Sequence, residues 1–282
     1  MKKILSLLMC LVLVLGALTV FTSCAEKRSD VESNETDAEG NKVEKKPLIV
    51  VGYTIYEPMN YLDADGKLVG FDTELAQKVF ENLGYEVSFK EILWESKYSD
   101  LNSGVIDCIW NGFTCNTADD DGVQRADKVD FSYNYMENEQ VIVVKADSTI
   151  ASAADLNGKI GLAEAGSAGE GYAKGFEGVI YKSVIKQTET LFEVKSGTAD
   201  FAVVDAQLAK SYVGKGDYAN LKIVEALSSD IEYYAIGFQK GSELTAKVNA
   251  ELEKLAADGT IAELAAKYGV ENTAIVDFSS QK

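Results

Sequence analysis

The 282-residue chain contains no histidine. Without imidazole there is no Ser-His-Asp or Cys-His nucleophilic machinery and no histidine-ligated zinc, although carboxylate or lysine chemistry stays open. Cysteine is almost as scarce. The four residues, Cys10, Cys24, Cys108 and Cys115, form no C-x-x-C pair, so neither a dithiol redox motif nor a zinc knuckle is suggested, and no metal or cofactor is expected. Basic residues are heavily outnumbered, with 27 Lys and Arg against 45 Asp and Glu and a formal net charge of −18. Such a chain repels nucleic acid and anionic membrane surfaces unless a basic patch intervenes, and the sequence offers none.

What is present is ordinary globular material: 46% apolar residues, enough for one large or two medium domains. Lys2-Lys3, the apolar run 4–20 and then Phe21-Thr22-Ser23-Cys24 read as a secretory leader over 1–23, with small residues before a cysteine. Residues 25–46 are mostly Glu, Asp, Lys, Ser and Asn, too polar to offset the cost of ordering, and read as a tether. From Pro47 onward apolar runs alternate with helical periodicity. A strand at 48–51 precedes a turn at 63–66. A helix carries Phe71, Leu75, Val79 and Leu83 on one stripe and stops at Gly84, and a strand begins at Val87. This βαβ progression predicts a parallel sheet. Val105, Ile106, Cys108, Ile109 and Trp110 predict a short, fully buried strand bounded by Gly104 and Asn111-Gly112. Ligands in such sheets bind beyond the strands' carboxyl ends, where Gly112 and Thr114 fall.

The run IDCIWNGFT (106–114), followed by an arginine and KVDFSYNYM (128–136), resembles the core motif of the family-3 extracellular solute-binding proteins, the polar amino-acid receptors of ABC uptake systems. Further blocks agree: LDADGKLVGFDTELAQKVFENLGYEV (62–87), DLNGKIGLAEAGSAGEGYA (155–173), ADFAVVDAQLA (199–209) and the segment 236–269. The likeness spans roughly residues 47–270 in unbroken order. It implies an α/β, periplasmic-binding-protein-like type II fold: two α/β lobes joined by a two-strand hinge. Lobe 1 would comprise 47–135 and 236–282, and lobe 2 would comprise 136–235. Cys24 resembles the lipid-acceptor cysteine of a bacterial lipobox, with Phe21 where the pattern usually has leucine. Localisation would then be extracytoplasmic, at the cell membrane.

The resemblance also implies a site. A free amino acid is a zwitterion, so burying it requires a cation for its carboxylate and an anion for its ammonium. Arg125, five residues before Asp130, matches the family's carboxylate-binding arginine, and Asp205, after the apolar run 201–204, matches its ammonium-binding aspartate. An arginine held for a ligand would contribute little to the empty fold. Tyr56 and Trp94 match aromatic positions that stack on the ligand, while Gly112 and Thr114 match backbone and hydroxyl contacts. Ser167 and Ala168, after Gly166, match a turn whose amides receive the carboxylate. Glu164 and Glu57 would face the side-chain pocket from opposite lobes and favour a cationic or strongly hydrogen-bonding ligand. One departure stands out: the stretch 116–124 separates Thr114 from Arg125 by eleven residues where the family usually has five. Whether that loop displaces Arg125 stays open. The acidic run 119–121 lacks the ligand pattern of an EF-hand and reads as a solvated loop.

The function expected is capture of a free L-amino acid, polar or cationic, by hinge closure and its delivery to an ABC permease and its ATPase, without enzymatic activity. The alternative is a secreted cyclohexadienyl-dehydratase-like lyase on the same scaffold.

Overall fold

The computed structural model describes residues 45–281. The expected leader, Cys24 and all but the last two residues of the tether lie outside the described residues.

The chain enters through β1 (Leu48–Tyr53), whose last five residues are all buried. The predicted turn at 63–66 joins β2 (Tyr61–Leu62) to β3 (Leu68–Val69). Asp63 Oδ1 accepts the amides of Asp65 and Lys67, and Gly66 takes the left-handed conformation the turn needs, φ 76°. Then α1 (Phe71–Asn82) buries Phe71, Leu75 and Val79 on one stripe and ends before Gly84 at φ 88°. It is followed by β4 (Glu86–Glu91), α2 (Lys97–Asn102), β5 (Cys108–Ile109), the single turn α3 (Arg125–Lys128) and β6 (Asp130–Phe131).

The chain leaves this lobe through β7 (Met136–Asn138) into β8 (Gln140–Lys145). The second lobe continues with β9 (Ile160–Glu164), α4 (Ala168–Lys174), β10 (Ile180–Val184), α5 (Gln187–Ser196), β11 (Phe201–Asp205), α6 (Ala206–Tyr212) and β12 (Leu221–Ile223). Return is through β13 (Glu232–Tyr234) into β14 (Gly237–Phe238). Two helices close the lobe, α7 (Leu244–Ala257) and α8 (Thr260–Tyr268), separated by Gly259 at φ 87°, and both pack on α1.

Two five-stranded sheets result, in the orders β4-β1-β5-β14-β6 and β10-β9-β11-β8-β12. The expected parallel sheets are in fact mixed. β14 runs antiparallel to β5 and β6, and β8 runs antiparallel to β11 and β12. Both exceptions are strands the chain enters on coming off a crossing, without an intervening helix to turn it back. The crossings pair with each other: β7 and β13 form an antiparallel two-stranded sheet, with Glu232 opposite Asn138 and Tyr234 opposite Met136. The predicted strand at 105–110 forms ladder pairs only at Cys108 and Ile109. Burial nevertheless continues without a break from Cys108 to Thr114, beyond the carboxyl end of this central strand.

Candidate functional site

A narrow cavity lies between the lobes, drawn in until its free volume is only about 10 Å³. The first lobe lines it with Tyr56, Trp94, Asn111, Gly112, Thr114 and Arg125, and the second with Glu164, Ser167, Ala168, Gln187 and Asp205. Nine of the ten site residues named from the resemblance meet here. Glu57 does not. It is half-buried and bonds the hydroxyl of Tyr212 instead.

Arg125 opens α3 and is 1% exposed, which rules out a surface arginine in an acidic loop. Its Nε donates to Asp119 Oδ1 at 2.8 Å, Nη1 to the Thr114 carbonyl at 3.1 Å and Nη2 to the Gly166 carbonyl at 3.2 Å. The guanidinium also lies 5.4 Å from the Phe113 ring centroid. The long stretch 116–124 therefore leaves the arginine in the cavity wall and supplies its counter-ion. Asp120 and Asp121 are exposed, as a solvated loop requires, but Asp119 turns inward. It also accepts the Tyr98 hydroxyl at 2.6 Å and Lys128 Nζ at 2.9 Å. Burial alone would raise its pKa, but Arg125, Tyr98 and Lys128 hold it down to about 2.

On the facing wall Asp205 ends β11 and is 5% exposed. Amides surround it: Asn138 Nδ2 at 2.7 Å and Gln140 Nε2 at 2.6 Å reach Oδ1, Gln187 Nε2 reaches Oδ2, and Gln187 Oε1 accepts the Asp205 backbone N–H at 3.1 Å. Burial nonetheless raises its pKa. Glu232 stands behind, accepting Gln140 at 3.0 Å and the Thr114 hydroxyl at 3.1 Å. Glu164, the last residue of β9, is 4% exposed, and burial followed by the charge of Asp205 pushes its pKa up to about 8. Three carboxyl groups thus crowd one end of the cavity.

Two expected contacts change character. The Gly112 amide is already committed, donating to Asp72 Oδ2 at 2.8 Å. The Thr114 hydroxyl donates to Glu232 and retains only acceptor capacity toward a ligand. Glycine at 112 is required sterically: φ is 55°, and a Cβ would come within 2.7 Å of the Tyr56 ring. The two aromatics serve core and cavity together. Tyr56 bonds Tyr234 hydroxyl to hydroxyl at 2.7 Å, and Trp94 meets Phe113 edge to face at 5.2 Å. Ser167 caps α4, its oxygen accepting the Glu170 N–H at 3.0 Å, which leaves the hydroxyl proton free to donate.

Asn111, Gln187, Gln140, Asn138, Asp119 and Lys97 were not anticipated. Asn138 and Gln140 carried a faint signal, as alternating amides interrupting the apolar stretch 135–144. Gln187 and Asp119 look like ordinary surface residues in sequence.

Residues 48–271 match the bacterial extracellular solute-binding proteins, family 3. The arginine-binding extracellular protein ArtP of Bacillus subtilis (strain 168) is 30% identical over 262 residues, 92% of this chain and 96% of that protein. The L-cystine-binding protein TcyA of the same organism is 31% identical over 252 residues, 85% and 89% of the two chains. Among solved structures, an ancestral arginine-binding protein bound to arginine aligns with a TM-score of 0.72 at 35% identity, covering 79% of this chain and 98% of the other. An ABC uptake transporter substrate-binding protein from Streptococcus pneumoniae with bound histidine aligns at 0.71 with 32% identity, covering 80% and 94%. With its two-lobed fold and a family match across most of its length, the chain belongs to the bacterial extracellular solute-binding proteins of family 3.

Proposed function

We propose that the protein is an extracytoplasmic receptor that closes its lobes on one free L-amino acid, polar or cationic, and delivers it to an ABC permease. The observation that carries this reading is a buried cation, Arg125, on one wall of the cavity and a buried anion, Asp205, on the other. A guanidinium has five N–H donors. Asp119, Thr114 and Gly166 take three, which leaves two for a carboxylate. Asp205 Oδ1 accepts two amides, Oδ2 accepts Gln187, and the Tyr234 hydroxyl also bonds the carboxylate, so an ammonium would take the place of one of these neutral donors. The free proton of Ser167 adds a third donor to the carboxylate. Tyr56 and Trp94 flank the space between, and Glu164 gives the side chain a hydrogen-bonding or ionic partner. Acidic side chains are disfavoured by like-charge repulsion.

Closure would exclude water and strengthen both ion pairs. Relatives named for arginine and cystine binding support an amino-acid cargo. In this reading Cys24 carries lipid and holds the receptor at the membrane beside its permease; several acyl chains anchor firmly where one does not.

The test is a thermal-shift panel of L-amino acids on purified protein, with mass spectrometry of the recovered ligand. One or a few amino acids should stabilise the fold and return unchanged. Strongest stabilisation by glutamate or aspartate would overturn the charge assignment. The lyase alternative has one observation in its favour: a buried carboxyl, Glu164, held near the pKa of a neutral-pH acid. Turnover of prephenate or arogenate would replace the receptor with that enzyme.

A further inference from the structure

The zwitterion reading uses Arg125, Asp205 and Glu164 but leaves one charge at the seam without a task. Lys97 begins α2 and is 2% exposed, a burial that lysine rarely tolerates unless paired. Its Nζ donates to the Gly166 carbonyl at 3.0 Å and, at 3.4 Å, to the Trp94 carbonyl. It sits 4.9 Å from the Trp94 ring centroid and 4.7 Å from that of Tyr98. Among the described residues no carboxylate lies at ion-pair distance from it, whereas Arg125 has Asp119.

The Gly166 carbonyl is the same oxygen that receives Arg125 Nη2. Two cations of the first lobe therefore converge on one carbonyl of the second, immediately before Ser167 and Ala168 in the cavity wall. Two like charges around a single neutral acceptor repel each other, and a buried ammonium without a counter-ion is costly. Burial, and then the charge of Arg125, lower the pKa of Lys97 to about 7. Negative charge placed between the two cations would relieve both penalties.

We infer that Lys97 is a second cation of the ligand-carboxylate subsite, joining Arg125 and the Ser167 hydroxyl in a doubly cationic cradle that selects a free α-carboxylate over its amide. The assignment rests on an amino acid occupying the cavity. It separates the ends of the ligand: the Gly166 turn takes the carboxylate, and the crowded acids Asp205 and Glu164 take positive charge. The rival role is that Lys97 merely offsets Asp119 and Glu164, whose charges it also feels. In that case its removal would weaken every ligand alike, whatever stands at the α-carbon.

Isothermal calorimetry decides between these roles, with L-arginine, L-histidine, L-glutamine and L-cystine each measured against its α-carboxamide. The proteins are wild type, Lys97→Met and Lys97→Gln; the glutamine variant keeps a donor for the Gly166 carbonyl should the methionine variant fail to fold. Both variants should bind the carboxylate form roughly 10- to 100-fold more weakly, the loss expected of one charge-assisted bond, and the amide form within about threefold of wild type. Equal losses for both forms, or no loss, would overturn the role given to Lys97 while leaving the receptor reading intact. If wild type binds none of the four amino acids, the amino-acid reading fails and the cradle fails with it.

Discussion

Replacing Arg125 with Met should produce two separable losses, and the structure sets the size of each. In the empty protein the substitution removes a charge-assisted bond to Asp119 and two bonds to carbonyls. Asp119 keeps Lys128 and Tyr98, and the Gly166 carbonyl keeps Lys97, so no buried charge is fully orphaned. The cost therefore falls near a single charged hydrogen bond, about 2 kcal/mol, rather than the larger penalty of a broken buried pair. For a chain of this size that lowers the melting point by roughly 4–8 °C. This prediction departs from the expectation that an arginine held for a ligand contributes little to the empty fold, and the empty melting point decides between them. In the presence of ligand at one hundred times its dissociation constant, wild type gains about 2.7 kcal/mol, or roughly 5–10 °C, and the variant should gain none. Asp119→Asn separates the two effects. It should lower the empty melting point by a similar few degrees yet retain most of the ligand shift, because the guanidinium remains. Differential scanning calorimetry of the three proteins, each with and without ligand, measures these quantities. An Arg125→Met protein with an undiminished ligand shift would show that the carboxylate binds elsewhere. An unchanged empty melting point would mean that the Asp119 pair contributes nothing to folding.

Glu164→Gln should flatten the pH dependence of the empty protein's stability. The folded pKa of Glu164, about 8, lies above the ordinary 4.5. Its contribution is therefore complete below pH 4.5 and is lost as pH rises toward 8. Urea midpoints across that window should fall less steeply for the variant, and parallel slopes would refute the assignment. Gly112→Ala should abolish the ligand shift, since the added Cβ must displace the Tyr56 ring from the cavity wall; calorimetric binding at wild-type affinity would count against that geometry. Cys24→Ser should move the protein from the membrane to the soluble extracellular fraction on cell fractionation, whereas continued membrane retention would identify the apolar segment 4–20 as the anchor.

Much of the fold was legible because its signals are local. The stripe Phe71, Leu75 and Val79 and the break at Gly259 each lie within a few residues of what they determine. Strand direction was not. β8 and β14 read as ordinary buried strands, and only the pairing of β7 with β13, residues nearly one hundred positions apart, shows why the chain enters both sheets antiparallel. The candidate site divides the same way. Arg125 could be placed by its distance from Asp130, even though the loop before it departs from the family's length. The inward turn of Asp119 could not be read, because three consecutive aspartates look equally solvated until the fold sets one beside a guanidinium. Lys97 was hidden for a similar reason: in sequence a lysine at the start of a helix is a surface residue, and only the fold sets it between the rings of Trp94 and Tyr98 and the Gly166 carbonyl of the other lobe. The first lobe supplies the cation Arg125 in the cavity wall, with Lys97 beside it on the Gly166 carbonyl, and the second supplies the acids Asp205 and Glu164. Neither lobe alone brings both signs of charge to the cavity wall, so the two crossings, more than any single motif, bring these side chains together.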